Sequence, residues 1–262
     1  MSTIQRGSDD DLDPQWQEAQ ARRRDEGLAA TAERWNANPL GPHLLTFSGP
    51  LEDRPHTFCP GQTVAGADCP NCQKPLLCLL SLQTSKLPLR TSLPQAPVAI
   101  HLLYCWTCAI PFGPFSYRIH EDGRVEILQY LDRYSGCFGL AGPYDGYTGR
   151  YPESQVGLRA LSVEEQGLAR QLRADGEYPE AYRYLTHPVH QVGGVPMIHN
   201  PQTVQCPTCR QASPFFATIC DNAVGQEYQR DSALTFTGNS GVQMVFHWCA
   251  LCAVMSAYHS CD

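Results

Sequence analysis

The chain has 262 residues, enough for one large domain or two small ones, and its 21 glycines, 21 prolines and 17% charged residues predict strands and loops more than helix. Its formal net charge is −7, from 19 basic and 26 acidic side chains without a dense basic stripe, which argues against general affinity for nucleic acid. No run of about 18 apolar residues occurs, so the sequence predicts no membrane-spanning helix.

The cysteine content and the first residues bear on the cellular compartment. The 13 cysteines are an odd number, and most of them stand in CxxC pairs, which suits a reducing environment better than a disulfide framework. Residues 1–13 are polar and acidic and lack the apolar segment of a secretory signal. We therefore expect a cytoplasmic protein.

Residues 1–36 are predicted to form a disordered tip followed by an N-terminal helix. Asp13 is a suitable N-cap, Pro14 suits the first turn, and the stretch up to Trp35 is rich in Gln, Ala, Glu and Arg. We expect the helix to dock loosely on the domain, and a partner-binding arm is the alternative.

Residues 37–131 are predicted to form a first β half that contains two of the CxxC motifs. Apolar or β-prone runs separated by turn residues predict its strands. Asp122 and Gly123 lie between the last two runs and are typical of a tight hairpin turn. The predicted strands are 44–47, 76–82, 98–104, 115–120 and 124–130.

Residues 132–190 are predicted to be a connector. Its first part is rich in Gly and Tyr, and Tyr144, Tyr147 and Tyr151 either form an interaction surface or cover the seam between the halves. Ser162 and Glu165 have the spacing of a capping box, which predicts a helix over 163–174.

Residues 191–262 are predicted to form a second β half with strands at 215–220, 242–248 and 253–260. An offset of 137 residues places the CPxC motif of the first half on that of the second, and an offset of 144 aligns the closing CxxC motifs. The predicted fold is therefore β-rich α+β, with two pseudo-symmetric zinc-knuckle halves packed face to face, a short helical insert and the N-terminal helix.

Eight cysteines in four CxxC motifs are the candidate metal ligands. A CxxC turn lets both sulfurs reach one ion at about 2.3 Å, and two such turns complete the tetrahedron that zinc prefers. Since four thiolates leave no position for water, we expect two structural zinc ions; a thiol–disulfide motif and a single filled site are the alternatives. The expected ligands are Cys69, Cys72, Cys105 and Cys108 in the first half, and Cys206, Cys209, Cys249 and Cys252 in the second.

The sequence predicts no catalytic residue. It contains no Gly-rich phosphate loop, nucleophile elbow or HExxH motif. His187, His190 and His199 cluster near the start of the second half, but Pro188 prevents the first two from sharing a helix face, and we expect them in loops. An enzyme with a site between the halves, using His187, His190 or Asp145, is an alternative.

The second half resembles known families. The run from His190 to Pro196, the CPTC motif, the glycines near 238–241 and the segment 246–252 resemble the YwqG-like family of bacterial proteins. This resemblance implies a β-rich, pseudo-symmetric fold and a candidate role as an immunity or interaction protein. The CPxC motif, the apolar strand and the returning CxxC are also similar to the C-terminal region of the programmed-cell-death-protein-two family, which implies chaperoning of a ribosomal protein.

The composition, the closed cysteine sets and both resemblances favour one function. We expect a non-enzymatic, zinc-stabilised protein-binding module, with a client chaperone and a toxin-immunity protein as its concrete forms. The expected partner is another protein, and neither a membrane nor nucleic acid is expected as a partner. A zinc-ribbon nucleic-acid binder is the second alternative.

Overall fold

The computed structural model describes residues 40–70, 73–88, 96–105, 114–129, 153–167, 190–194, 196, 202–220 and 243–260. The predicted N-terminal helix and the Tyr-rich loop lie outside these ranges. So do His187 and His199, which were expected in loops.

Strands dominate the part of the chain that the structure describes. The five strands predicted in the first half and the three predicted in the second agree with observed strands to within about one residue at the described ends. The thirteen strands are β1 (His43–Thr46), β2 (His56–Phe58), β3 (Leu77–Gln83), β4 (Ala99–Tyr104), β5 (Phe115–Ile119), β6 (Val125–Gln129), β7 (Ser154–Ala160), β8 (Gln191–Val192), β9 (Val204–Gln205), β10 (Ala212–Ser213), β11 (Phe215–Cys220), β12 (Gln243–Cys249) and β13 (Val254–Ser260).

Helical structure is short in the described residues. The helix predicted over 163–174 is present in its described residues, 163–167, and the remainder lies outside the described ranges. The Glu165 N–H donates to Ser162 Oγ (3.1 Å), and the Ser162 N–H donates to Glu165 Oε2 (2.7 Å), as in a capping box. Two 3-10 helices lie at Leu51–Asp53 and Thr84–Lys86. No helix in the described ranges is long and apolar enough to cross a membrane.

Eleven strands form one antiparallel sheet in the order β4-β3-β2-β7-β1-β8-β11-β12-β13-β5-β6, and β9 and β10 form a separate two-stranded ribbon. The strands of both predicted halves therefore lie side by side in a single sheet, instead of in two sheets packed face to face. The physical reason is the pair β1–β7, which hydrogen-bonds to β8 on one side and to β2 on the other.

The sheet is curled, so that the end strand β4 comes close to β13. Tyr117 on β5 spans the gap to β4: its hydroxyl accepts the Leu103 N–H and donates to the His101 carbonyl, both at 2.8 Å. The enclosed core is apolar and aromatic, and it includes Phe58 and Trp248. Burial of this face supplies the main driving force for the curled sheet.

Strand β7 was not predicted, because Gly157 interrupts its pattern and glycine weakens strands. Here a glycine is required by close packing. A Cβ at residue 157 would lie 2.5 Å from the Asp53 carbonyl oxygen and 2.9 Å from Thr46 Oγ1. Strand β7 therefore belongs to the sheet, although its residues fall in the segment predicted to be a connector.

Candidate metal centre

Four cysteines of the second half converge at one point of the structure. The sulfurs of Cys206, Cys209, Cys249 and Cys252 all lie within 4.8 Å of one another, and the Cys209 and Cys249 sulfurs are 3.7 Å apart. Four sulfurs bound tetrahedrally at about 2.3 Å would be separated by about 3.8 Å. The arrangement therefore fits a metal ion such as zinc.

The β9–β10 ribbon forms the first knuckle of this centre. Gln205 pairs with Ala212, which closes the chain around Cys206 and Cys209. The Cys206 N–H donates to the Gln211 carbonyl (2.8 Å), and the Arg210 N–H donates to the Cys206 carbonyl (2.9 Å). Arg210 has φ +62°, and this left-handed residue lets the turn reverse directly after Cys209.

The hairpin between β12 and β13 forms the second knuckle. Cys249 pairs with Val254 at the ends of these strands, and the Cys252 N–H donates to the Cys249 carbonyl (3.3 Å). Ala253 has φ +51°, so a left-handed residue again follows the second cysteine of the motif. Two turns, each at the end of a strand pair, therefore hold the four sulfurs.

The centre is buried on one side. Cys206 and Cys249 are buried in a small cluster with Val254, whereas Cys209 and Cys252 are partly exposed at its rim. An ion held here would lie against the sheet and remain partly open to water.

The local environment shifts the thiol pKa values in different directions. The backbone hydrogen bond from Gln211 lowers the pKa of Cys209, since it stabilises the thiolate. Burial raises the pKa of Cys249 and that of Cys252. A bound cation would favour the thiolate at all of these positions, because coordination requires loss of the thiol proton.

A groove of about 460 Å³ lies beside this centre, between the β5–β6 hairpin and Cys252. Arg118 is one of its lining residues. One guanidinium nitrogen of Arg118 contacts Glu126 Oε2 (2.8 Å), and the other donates to Thr208 Oγ1 (3.3 Å), inside the first knuckle. This link could not be predicted, because Arg118 lies 90 residues from Thr208 and belongs to no motif.

Only half of the first predicted ligand set is described. Cys69 and Cys105 are both buried in the main core, and Cys72 and Cys108 lie outside the described residues. The Cys69 N–H donates to the Lys74 carbonyl (2.9 Å), and the Gln73 N–H donates to the Cys69 carbonyl (2.8 Å).

The other thiols that the structure describes stay apart from the tetrad. Cys78 on β3 and Cys220 on β11 are buried in their strands. Burial raises the pKa of Cys78 to about 12, so this thiol stays protonated at neutral pH.

Of the histidines considered for a catalytic site, His190 is described. It is buried, packs against Phe58 with ring centroids 5.1 Å apart, and its Nδ1 accepts the Cys220 N–H at 3.2 Å. Burial lowers its pKa to about 3. His187, His199 and Asp145 lie outside the described residues.

Comparisons with protein-family models, with curated proteins and with solved structures give no match to this chain.

Proposed function

We propose that this chain is a zinc-stabilised protein-binding module in which the metal has a structural role. The observation that carries the proposal is the convergence of Cys206, Cys209, Cys249 and Cys252 within 4.8 Å. Soft thiolates select zinc over magnesium or calcium, and four protein ligands fill the tetrahedral shell. A filled shell holds no water to activate, which favours structure over catalysis.

A second zinc ion at Cys69, Cys72, Cys105 and Cys108 belongs to the proposal. The support is the backbone of the Cys69 knuckle. It has the same two hydrogen bonds as the Cys206 knuckle, and a left-handed residue, Gln73 with φ +57°, at the corresponding position. Asp68 and Pro75 form a bridge that corresponds to the Gln205–Ala212 pair. The likeness of the described backbone supports a metal-binding knuckle at this place as well.

A polypeptide is the proposed ligand of the module, with a client protein or a toxin as its two concrete forms. Leu251, at the tip of the second knuckle, is 64% exposed and is next in sequence to Cys252, which lines the groove together with Arg118. An exposed apolar side chain beside polar and charged groups is the composition of many protein-binding surfaces.

Metal analysis tests the zinc proposal. We expect two zinc ions per chain, and one in the Cys206→Ser variant, whose free energy of unfolding should fall by about 4 kcal/mol because an incomplete metal site is left in the core. Cys220→Ala is the matched control: it removes a buried thiol outside the tetrad and should retain both ions. A zinc-free wild-type protein, or a Cys206→Ser variant with unchanged stability, would contradict the proposal.

Affinity capture from the native host tests the binding role. Leu251→Asp should reduce the amount of a captured protein at least tenfold, on the scale of a lost interface anchor. Val163→Asp, which alters another exposed apolar side chain, should leave capture unchanged. Equal capture by wild type and both variants would show that the knuckle tip is not the contact surface.

A further inference from the structure

The ladders of β3 with β4 and of β11 with β12 are irregular at the same place. The register shifts between Cys78 and Leu80 in the first ladder, and between Phe215 and Ala217 in the second. These positions are separated by the offset of 137 residues that aligns the opening knuckles. A bulge is a specific local feature of a ladder, so its repetition indicates common construction.

The correspondence extends to β2 and β8. His56 accepts the main-chain N–H of the last residue of β3, and His190 accepts that of the last residue of β11, both at 3.2 Å. Cys59 follows β2 with φ +45°, and Gly193 follows β8 with φ +75°. The N–H groups of Cys59 and Gly193 donate hydrogen bonds to main-chain carbonyls at corresponding positions of β3 and β11.

We propose that β1–β5 and the set β7, β8, β11, β12 and β13 are two copies of one five-strand unit that exchange their first strands. Strand β1, from the first copy, pairs with β7 and β8 of the second. Strand β7, from the second copy, pairs with β1 and β2 of the first. The two exchanged pairings have the same register. Phe58 of β2 pairs with Ser154 of β7, and the corresponding residues Val192 of β8 and His43 of β1 pair with each other.

Two contacts mark the pseudo-two-fold axis that relates the copies. Thr46 on β1 pairs with Gly157 on β7, and the two residues occupy equivalent positions in the two copies. Ser116 on β5 pairs with Ser256 on β13, and their hydroxyl oxygens are 2.7 Å apart. First strands meet at one contact, and last strands meet at the other.

The exchange determines how the molecule folds. Each copy places its first strand in the sheet of the other, so neither copy completes its own sheet. A sheet that ends without this strand would expose an unpaired edge. The two copies are therefore one cooperative unit, and loss of packing in one copy opens the other. This inference concerns the strands and holds whether or not metal is bound.

Hydrogen exchange of the full-length chain, followed by mass spectrometry of peptides, tests the exchange of strands. Leu82→Ala removes core volume in β3, and Ile219→Ala does so at the corresponding position of β11. We expect Leu82→Ala to accelerate amide exchange at least about tenfold in both β3 and β12, because cavities of this kind destabilise the whole cooperative unit. Ile219→Ala, in the second copy, should likewise accelerate amide exchange in both copies.

If an alanine variant does not fold, Leu82→Val or Ile219→Val replaces it. The valine variants should accelerate amide exchange less, and again equally in the two copies. Val163→Ala, on the surface, should leave exchange unchanged. Acceleration confined to the copy that carries the substitution would overturn the inference. Zinc measured on the same samples distinguishes this outcome from failure of the metal proposal.

Discussion

His56 and His190 are buried side chains that accept main-chain hydrogen bonds at corresponding places in the sheet. Each imidazole must be neutral at Nδ1 to accept, and burial lowers the pKa of His56 to about 4 and that of His190 to about 3. Each buried imidazole thus holds a main-chain N–H at the end of a strand. The sequence offered no motif for His56, because its partner in β3 lies 27 residues away.

Because of these two histidines, we expect the free energy of unfolding to fall in acid. Their folded-state pKa values lie below the unfolded value of about 6.5, so the unfolded chain binds protons first as the pH falls. Each should therefore lower the free energy of unfolding by about 1.4 kcal/mol per pH unit between about pH 6.5 and its folded-state pKa. Urea unfolding at a series of pH values measures this slope.

His190→Asn keeps an acceptor near the position of Nδ1 but does not titrate, so it should reduce the slope by the share of one histidine. His56→Asn should act in the same way. Because metal release by acid affects wild type and variants alike, the difference between their slopes reports the histidines. Identical slopes in all three proteins would contradict this account.

At the scale of elements, β4 depends on a side chain for part of its hydrogen bonding. It is the end strand of the sheet, and the Tyr117 hydroxyl serves the Leu103 N–H and the His101 carbonyl on the side away from β3. Burial raises the pKa of Tyr117, so the phenol stays protonated and can donate. One hydroxyl thus ties β5 to the far end of the sheet.

Tyr117→Phe should lower the free energy of unfolding by about 2–3 kcal/mol, because it leaves a buried donor and a buried acceptor unpaired. Tyr258→Phe is the matched control. Its hydroxyl accepts the Gln202 N–H (3.1 Å), and loss of this bond should cost about 1 kcal/mol. Chemical denaturation compares the two, and equal costs would show that Tyr117 does not secure β4.

At the scale of the whole molecule, the described sheet is continuous from β4 to β6, and the cysteine tetrad lies where β12 turns into β13. An ion bound there would stabilise the inner strands β12 and β13 and the β9–β10 ribbon together. Binding to the folded state alone raises the stability of every strand that unfolds with it.

Zinc removal by a chelator should lower the melting temperature by about 10 °C or more, on the basis of about 4 kcal/mol and a chain of this size. The transition should remain single, because the strands share one sheet. Calorimetry with and without chelator measures both, with readdition of zinc as the control. Two separate transitions after chelation would contradict a single cooperative unit.

The sequence predicted the strands with uninterrupted apolar patterns and the cysteines that lie on their turns. It missed β7, where Gly157 is needed for close approach to Asp53 and Thr46, since that requirement exists only after folding. The link from Arg118 to Thr208 was missed for the same reason. Short strands such as β8 were missed because two residues carry no periodic signal.

The sequence by itself determined the β-rich class, the cysteine spacing of the candidate metal centre and the repeat of the CxxC motif, because these depend on residue type and on spacing along the chain. Only the tertiary structure decided that the strands of both halves join in one curled sheet, with the pair β1–β7 linking β2 to β8. Hydrogen-bonded edges can pair with any strand of suitable register, so the choice of partner is made by packing across the whole chain.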